Sequence, residues 1–156
     1  MKSHNYKSII KWTGNKGKGT TSYTSYERSY DIIIENKPTI KGSSDPAFHG
    51  NSELHNPEDL FLASISSCHM LWYLHLCSEN QITVIDYQDN ASATMGENPD
   101  GKRHFNEAVL TPEVVILEKD KIELAESLHQ KANEFCFIAN SCNFPIHHNL
   151  IIRVQE

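Results

Sequence analysis

The stretch NPEDLFLASISSCHMLWYLHLCS, residues 56–78, decides the predicted fold of this chain. Asn56 is a residue type that caps the first turn of a helix, and Pro57 follows at the first helical position, where its missing N–H costs nothing. Glu58 and Asp59 then place negative charge at the positive end of the helix dipole. The pattern predicts a long helix that begins at Asn56 and runs to the end of the stretch.

Apolar residues recur along this helix at spacings of three and four, on two overlapping faces. A helix that is apolar nearly all round belongs in the middle of a fold. Residues 60–77 carry no formal charge, a run close to the lower limit for a membrane span. Serine and histidine residues dilute the run, however, and no Lys/Arg cluster flanks it. We therefore predict a buried central helix and no membrane partner. The two faces carry Leu60, Phe61, Ser64, Ile65, Cys68, Leu71, Trp72 and His75, and Leu62, Ile65, His69, Trp72 and Leu76.

Length and charge narrow the class of protein. The 156 residues suffice for one domain with its own core, and a single domain over 1–156 is predicted. The net charge of −6 argues against a nucleic-acid partner. The N-terminal segment lacks the apolar core of a signal peptide, so a cytoplasmic location is expected. Four cysteines in that compartment are more often free, redox-active or metal-binding than paired in structural disulfides.

Alternation and turn residues predict the elements before the central helix. A strand is expected at 6–12 and one or two strands at 20–34, with the glycine-rich turn TGNKGKG between the two segments. Residues 41–55 contain turn residues throughout, and we expect a loop that lies across the entrance of the helix.

After the central helix, strands are predicted at 82–95 and 103–117, joined by a hairpin turn at GENPDG. Asp120 is predicted to cap a second helix that ends near residue 135, and a last strand is expected at 150–154. Strands, a helix, two strands, a helix and a strand make an α+β fold, with antiparallel sheet packed against the helices. The inner face of the second helix is predicted to carry Ile122, Ala125, Leu128, Ala132 and Phe135.

Cys68 lies about three turns into the central helix, too far from the N-terminus for the helix dipole to ionise its thiol. A thiol reacts as the thiolate, so activation needs a cation from another segment. Glu58 is about 15 Å from Cys68 along an unbroken helix and cannot touch it, although it can hold an arginine that spans part of that distance. Without such a cation, Cys68 is a small inert core residue.

The positions of the other three cysteines do not decide which thiol pairs with Cys68. Cys77 lies on the opposite side of the helix from Cys68, so the two cannot pair within one chain, and Cys77 is predicted to fill space at the helix end. Cys136 follows the second helix and Cys142 lies six residues later. Either approaches Cys68 only through tertiary folding.

The nine histidines raise the question of a metal site, but the sequence has no C-x₂-C or H-x₃-H spacing within a loop. His69 and Cys68 are adjacent and point about 100° apart on a helix. We therefore predict neither a metal nor a cofactor. Phe61 and Trp72 are core residues on composition, and their position near Cys68 also suits a substrate wall.

The sequence resembles the OsmC/Ohr family of thiol peroxidases, which contains osmotically inducible protein C and the organic hydroperoxide resistance proteins. The segment NPEDLFLASISSCHM resembles the family's NPE-x-L…C helix, and ANEFCFIANS resembles its second-cysteine motif. The ten-residue step from Glu58 to Cys68 also fits the family. The DPAFHG loop, the WYLHLC helix end and the TPEVVI strand resemble one OsmC-like subgroup.

The resemblance implies a two-cysteine peroxidase that forms an intertwined α+β homodimer around the central helix. Cys68 is implied as the nucleophile that attacks the hydroperoxide, and Cys136 as the thiol that resolves the sulfenic acid to a disulfide. An external dithiol reductant is implied as the second partner. The resemblance also implies an arginine, held by Glu58, that stabilises the thiolate.

Two departures from the family pattern bear on these roles. The segment that starts at the second cysteine, Cys136, reads CFIANS, where the family usually has CP-x-S. Cys142 therefore remains an alternative resolving thiol. Where many members carry an arginine before NPE, this chain has Phe48-His49, and His49 serves only while protonated. Arg28, expected on an early strand, is the best substitute, and Lys16 and Lys18 are weaker ones.

These departures also leave a second function open. A non-catalytic OsmC-like module for redox sensing or small-molecule binding keeps the scaffold without efficient chemistry.

Overall fold

The computed structural model describes residues 3–156, so Met1 and Lys2 of the predicted domain lie outside the described residues. The chain divides into two compact units, the first ending at Leu60 and the second spanning Phe61–Glu156. The single domain over 1–156 stays a prediction.

The N-terminal unit contains one antiparallel sheet of three short strands. These are Ile9–Trp12 (β1), Tyr30–Ile33 (β2) and Ile40–Gly42 (β3), in the order β1–β2–β3. Tyr30 lies opposite Gly42, and a Cβ at that glycine would overlap the Tyr30 ring. Glycine at this position thus leaves room for the Tyr30 ring across the two strands.

The one or two strands predicted at 20–34 are reduced to β2 in the structure, because residues 20–25 form turns and bends, and residues 26–29 pair with 13–15 only through isolated backbone contacts. The guanidinium of Arg28 donates to the carbonyl oxygens of Tyr23 and Tyr26, at 2.6 and 2.7 Å. The Ser25 hydroxyl also donates to backbone carbonyls in this segment. Side chains thus occupy acceptors that a strand ladder would need. The predicted position of Arg28 on a strand was wrong, since Arg28 lies two residues before β2.

The predicted loop at 41–55 contains the end of β3 and a short 3-10 helix, Pro46–Phe48. The Asp45 carboxylate accepts a hydrogen bond from the N–H of Ala47 at 2.7 Å and caps this helix. His49 ends it in the left-handed region, with φ of 62°.

The central helix, α1, spans Pro57–Glu79. Asn56 Oδ1 accepts from the N–H of Asp59 at 2.7 Å, and the Asp59 carboxylate accepts from the N–H of Asn56 at 3.3 Å. This reciprocal pair is a capping box, so the predicted helix start is confirmed. By length and composition α1 meets the test for a membrane span, as core helices of soluble folds also do. The absence of a membrane partner stays a prediction.

The C-terminal unit contains two sheets of three strands, in the orders β4–β7–β9 and β5–β6–β8. In each sheet the first two strands are antiparallel and the third is added in parallel. The sheets are therefore mixed rather than purely antiparallel, because the last two strands follow the second helix, which carries the chain back in the same direction. The strands are Val84–Asp89 (β4), Ser92–Glu97 (β5), Arg103–Leu110 (β6), Pro112–Ile116 (β7), Ile146–His148 (β8) and Ile151–Val154 (β9).

Each of the two long strands predicted here is in fact two strands that belong to different sheets. The chain changes sheet at a corner, where the Asp89 carboxylate accepts from the N–H of Thr111 at 2.7 Å. The N–H of Asn90 donates to the carbonyl of Thr111 at 3.3 Å. The predicted hairpin turn between β5 and β6 is present, with Gly101 at φ of 80°.

The second helix, α2, spans Ile122–Phe135. The predicted cap at Asp120 was wrong, because Asp120 lies in a 3-10 turn, Lys119–Lys121, that precedes the helix. The buried face of α2 carries Ala125, Leu128, His129 and Ala132. Phe135, predicted on this face, is largely exposed, and His129 takes a core position that sequence periodicity had not assigned.

Helix α1 contributes to both apolar clusters of the C-terminal unit. Its second half packs with β7 and α2 around Tyr73, Leu76 and Ile116. Its first half packs on β6 around Ile65 and Leu110. One face remains uncovered in the single chain, since Leu71 is 63% exposed. The helix is therefore central to the core but not buried all round.

Candidate active site

Two cysteines from different elements meet in the C-terminal unit. Cys68 lies half-buried on α1, and Cys136 is fully buried immediately after the last residue of α2. Burial and then a side-chain interaction with Cys68 raise the pKa of Cys136, so the two thiols lie close together.

The backbone around Cys136 fixes the position of its sulfur. The Cys136 N–H donates to the carbonyl of Asn133 at 3.3 Å, and its carbonyl accepts from the N–H of Asn140 at 3.0 Å. The sulfur accepts from the N–H of Ala139 at 3.4 Å. Burial and the neighbouring Cys68 nevertheless raise the pKa of Cys136 to about 11. Cys136 is therefore a protonated thiol at neutral pH.

The other two cysteines have separate surroundings. The Cys142 thiol donates to the carbonyl of Ile138 at 3.3 Å, and burial raises its pKa. Cys77 packs in the core next to Tyr73, and burial raises its pKa as well. All four cysteines are free thiols.

An aromatic surface lies next to the cysteine pair in sequence and on the same unit. The Trp72 ring stacks on Phe135 with centroids 5.2 Å apart and meets Phe137 edge-on at 5.6 Å. A concave space of about 320 Å³ is lined by Leu71, Trp72 and His75. Phe137 is 68% exposed, so this apolar surface is open in the single chain.

Phe61, the other predicted wall residue, lies elsewhere. Its ring packs against Phe105 and Phe144, with centroids 5.2 and 6.1 Å apart, in the apolar cluster around Ile65. Its surroundings are those of a core residue.

The cation candidates belong to the N-terminal unit. The Arg28 guanidinium lies between the rings of Tyr23 and Tyr26, 4.4 and 4.2 Å from their centroids. His49 is exposed and meets the Tyr23 ring edge-on at 5.0 Å. Arg28 and His49 both line a cavity of about 230 Å³, together with Ser43. Lys16 is already paired with Glu27 at 2.7 Å.

Glu58 has one buried carboxylate oxygen, Oε2, that has no hydrogen-bond partner among residues 3–156. The same carboxylate contributes to raising the pKa of Tyr30. Within residues 3–156, the ion pairs do not include one between Arg28 and Glu58. The structure thus brings Cys68 and Cys136 together but does not bring Arg28 to Glu58.

Two groups near these sites were missed from the sequence. Tyr23 and Tyr26 precede Arg28 by five and two positions, a spacing that permits the rings to enclose a guanidinium. His69, His129 and His148 form a cluster in the interior, and the sequence signal for it was limited to His69 and His129 on helices, since His148 lies on β8. Among the described residues, no group of three or more His, Cys, Asp or Glu side chains is arranged to hold a metal ion.

Comparison with solved structures shows the same fold in several proteins. An OsmC-like protein of unknown function from Vibrio cholerae is 29% identical, with a TM-score of 0.87 over 96% of this chain and 100% of that one. An organic hydroperoxide resistance protein from Elizabethkingia anophelis, with thiocyanate bound, is 20% identical, with a TM-score of 0.70 over 99% of each chain. Another from Legionella pneumophila is 18% identical, with a TM-score of 0.65 over 97% of this chain and 99% of that one.

A search of curated proteins returned no match. The family model for OsmC-like protein matches residues 50–150, which include both Cys68 and Cys136. The match covers well over half of the chain, and the resemblance stated from sequence is confirmed. This chain belongs to the OsmC-like protein family.

Proposed function

We propose that this chain is a thiol-dependent peroxidase that reduces organic hydroperoxides, and hydrogen peroxide as a smaller substrate. Family membership supports a redox or peroxide-resistance role. The observation that carries the finer proposal is that the Cys68 and Cys136 side chains, from distant parts of the chain, come close enough to interact. Two cysteines from separate helices meet in this way without a disulfide, as a peroxidatic and a resolving thiol must in the reduced enzyme.

The proposed reaction has three steps. The Cys68 thiolate attacks the terminal peroxide oxygen, so that an S–O bond forms, the O–O bond breaks and the alkoxide leaves as an alcohol after taking a proton. Cys136 then attacks the sulfenic sulfur, and its proton leaves with the hydroxyl as water while the disulfide forms. An external dithiol reduces that disulfide by two thiol–disulfide exchanges and is itself oxidised.

In this proposal Arg28 supplies the cation that stabilises the thiolate, and Glu58 anchors it. The unpartnered Oε2 of Glu58 supports an anchoring role, because a buried carboxylate oxygen without a donor is costly. Arg28 must then exchange its contacts with the carbonyls of Tyr23 and Tyr26 for Glu58. His49 is the alternative cation. An Arg28→Ala variant is expected to lose activity, whereas Arg153→Ala, at an exposed pair with Glu113, is the matched control.

The aromatic surface formed by Trp72, Phe135 and Phe137 supports bulky hydroperoxides as substrates. Apolar contact contributes about 25 cal/mol per Å² of surface removed from water, and hydrogen peroxide offers almost none. Phe61 packs in the separate apolar cluster around Ile65.

We also propose a homodimer in a reducing, cytoplasmic compartment. In the N-terminal sheet, Ile9 and Ile10 are 63% and 60% exposed, and Leu71 on α1 is equally exposed. A second copy that covers these residues would remove apolar surface from water. Light scattering is expected to give twice the chain mass of 17.8 kDa, and a mass of one chain would contradict the dimer.

Peroxide consumption with dithiothreitol as the reductant tests the proposal. Cys68→Ser is expected to abolish turnover of cumene hydroperoxide. Cys136→Ser is expected to react once and accumulate sulfenic or over-oxidised Cys68. Cys142→Ser is the matched control for the second cysteine and is expected to retain turnover. Unchanged turnover in Cys68→Ser would refute the peroxidase.

One observation favours the alternative of a non-catalytic redox-sensing or binding module. The Arg28 guanidinium already has two carbonyl acceptors and two aromatic rings as partners in the reduced protein. The rate of Cys68 alkylation as a function of pH separates the two functions. A free-thiol value for its pKa would favour the module, and a value below neutrality would favour the peroxidase.

A further inference from the structure

Three imidazoles meet in the interior of the C-terminal unit. His69 comes from α1, His129 from α2 and His148 from β8, and the first two are each 1% exposed. Nε2 of His69 lies 2.9 Å from Nδ1 of His129, a hydrogen-bond distance. The rings of His69 and His148 are 4.6 Å apart, and the proposed peroxidase chemistry uses none of the three.

The hydrogen bond between His69 and His129 requires a neutral acceptor nitrogen. One ring donates its N–H and the other accepts. When both imidazoles are protonated, neither has an acceptor nitrogen, and the hydrogen bond cannot form. The outer nitrogens, Nδ1 of His69 and Nε2 of His129, are buried without partners. Burial and the neighbouring imidazoles lower the pKa of each ring to about 3. The pair is therefore neutral at physiological pH.

The groups that face the pair do not offset a positive charge. The Tyr73 ring stacks on His129 at 3.7 Å, and Tyr87 on β4 lies next to Tyr73. Asp89 raises the pKa of His148, but burial outweighs it and the pKa of that ring is lowered. The Asp89 oxygens already accept from the hydroxyl of Ser66 and the N–H of Thr111. The other titratable groups next to the cluster are His147, exposed on the same strand as His148, Glu126, exposed on α2, and the Cys77 thiol beside Tyr73.

The pair connects the two helices that carry the cysteines. His69 directly follows Cys68 in α1, and Cys136 directly follows the end of α2, two turns beyond His129. Among the described residues, this is the side-chain hydrogen bond that joins α1 to α2. A change in its geometry would therefore act directly on the separation of the two thiols.

We propose that the neutral His69–His129 pair positions Cys68 beside Cys136, and that acidification releases α2 from α1 and separates the two thiols. The first proton that binds to the His69–His129 pair places a charge in an apolar interior. The second proton removes the acceptor nitrogen of the hydrogen bond. Opening admits water to both rings and relieves both costs. This positioning role rests on the proposed function, but the opening itself does not.

Exposure of the buried Cys136 thiol measures the opening. A pulse of N-ethylmaleimide labels it irreversibly, because the thiolate sulfur adds across the maleimide double bond and no group leaves, and peptide mass spectrometry assigns the adduct. His129→Asn places a neutral amide close to the position of Nδ1 and does not titrate, so it is the matched comparison. His129→Leu removes the hydrogen bond at every pH, and exposed His104→Asn is the control for loss of a histidine.

The labelling rate of Cys136 at pH 5, divided by that at pH 7, is the quantity compared between variants. If one imidazole regains its ordinary pKa on opening, this ratio is expected to be about 25-fold larger in the wild type than in His129→Asn. His104→Asn is expected to match the wild type. Urea at concentrations well below the unfolding transition is expected to leave the rate unchanged, since the opening is local.

The positioning role has a second readout. Diamide takes two electrons and two protons from a dithiol, so it forms the Cys68–Cys136 disulfide without any peroxide chemistry. At pH 7 His129→Leu is expected to form it at least about tenfold more slowly than the wild type, and His129→Asn to restore most of the rate.

Equal pH ratios for Cys136 labelling in the wild type and His129→Asn would overturn the proposal. Wild-type diamide rates in His129→Leu would overturn the positioning role as well. If His129→Asn does not fold, His69→Gln, whose amide lies near the position of Nε2, supplies the same comparison. Both readouts are independent of peroxide turnover, so a failed peroxidase assay and a failed histidine switch are distinguishable.

Discussion

Oxidation of Cys68 and Cys136 to a disulfide is expected to stabilise the protein strongly. The bond would close a loop of about 70 residues, and the loss of chain entropy in the unfolded state corresponds to about 4 kcal/mol. The two thiols already lie close enough to interact in the reduced protein. For a chain of this length the gain corresponds to a rise in melting temperature of roughly 10 °C.

Thermal unfolding by circular dichroism, on fully reduced protein and on protein treated with one equivalent of cumene hydroperoxide, measures this rise. Cys136→Ser is expected to show no rise after the same treatment, and Cys142→Ser to show the wild-type rise. The reasoning is refuted if mass spectrometry shows a complete Cys68–Cys136 disulfide and the melting temperature does not increase. That outcome would mean that the bond forms only by distorting the native backbone.

Three further perturbations test separate parts of the structure. Lowering the pH from 7 to 5 is expected to reduce the free energy of unfolding, measured by urea titration, by roughly 4 kcal/mol through His69 and His129. The pKa of each ring is about 3 in the folded protein and 6.5 in the unfolded chain, so the unfolded chain binds more protons as the pH falls. Trp72→Ala is expected to raise the KM for cumene hydroperoxide about tenfold and to leave hydrogen peroxide turnover nearly unchanged in steady-state assays. Asn56→Ala is expected to lower the free energy of unfolding by about 1 kcal/mol, because it removes the capping box of α1.

Each of these three has a control and an outcome that contradicts it. If the free energy of unfolding falls by the same amount at pH 5 after both His69 and His129 are replaced, other groups cause the loss of stability. Leu124→Ala, an exposed truncation on α2, is the control for Trp72→Ala, and equal effects of Trp72→Ala on both peroxides would remove Trp72 from the substrate surface. For the cap, unfolding curves that coincide for Asn56→Ala and wild type would show that α1 begins without help from that side chain.

The central helix was predictable because its signals are local. The cap at Asn56 and the uncharged run that follows are read from consecutive residues, and both correspond to the observed α1. The strands β4 to β7 were not separated in the prediction, because the corner that divides them depends on a hydrogen bond between Asp89 and Thr111, residues far apart in sequence. The alternation of apolar and polar residues continues through that corner, so the sequence pattern does not indicate where one strand ends and the next begins.

Burial was predicted least well for polar residues. Periodicity assigned Phe135 to the inner face of α2, whereas the structure exposes Phe135 and buries His129, whose nitrogen bonds to His69 from another helix. No local pattern distinguishes a histidine that has such a partner from one that has none. A polar residue enters a core only when a distant residue satisfies it, and that partner is known only after folding.

The candidate site was predictable only in part. Spacing excluded a pair between Cys68 and Cys77 but left Cys136 and Cys142 open, and the choice of Cys136 came from the family resemblance. The structure brings Cys136 to Cys68. The contacts of Arg28 with Tyr23 and Tyr26 were not foreseen, because a strand was expected where the chain instead forms turns around the guanidinium.

Peptide mass spectrometry after one equivalent of organic hydroperoxide tests the central claim most directly. Fully reduced wild-type protein, quenched in acid within seconds of mixing, is expected to contain one intramolecular disulfide between Cys68 and Cys136, with Cys77 and Cys142 still as thiols. Protein in which Cys68 remains reduced while the hydroperoxide persists, or in which the disulfide joins other cysteines, would contradict it.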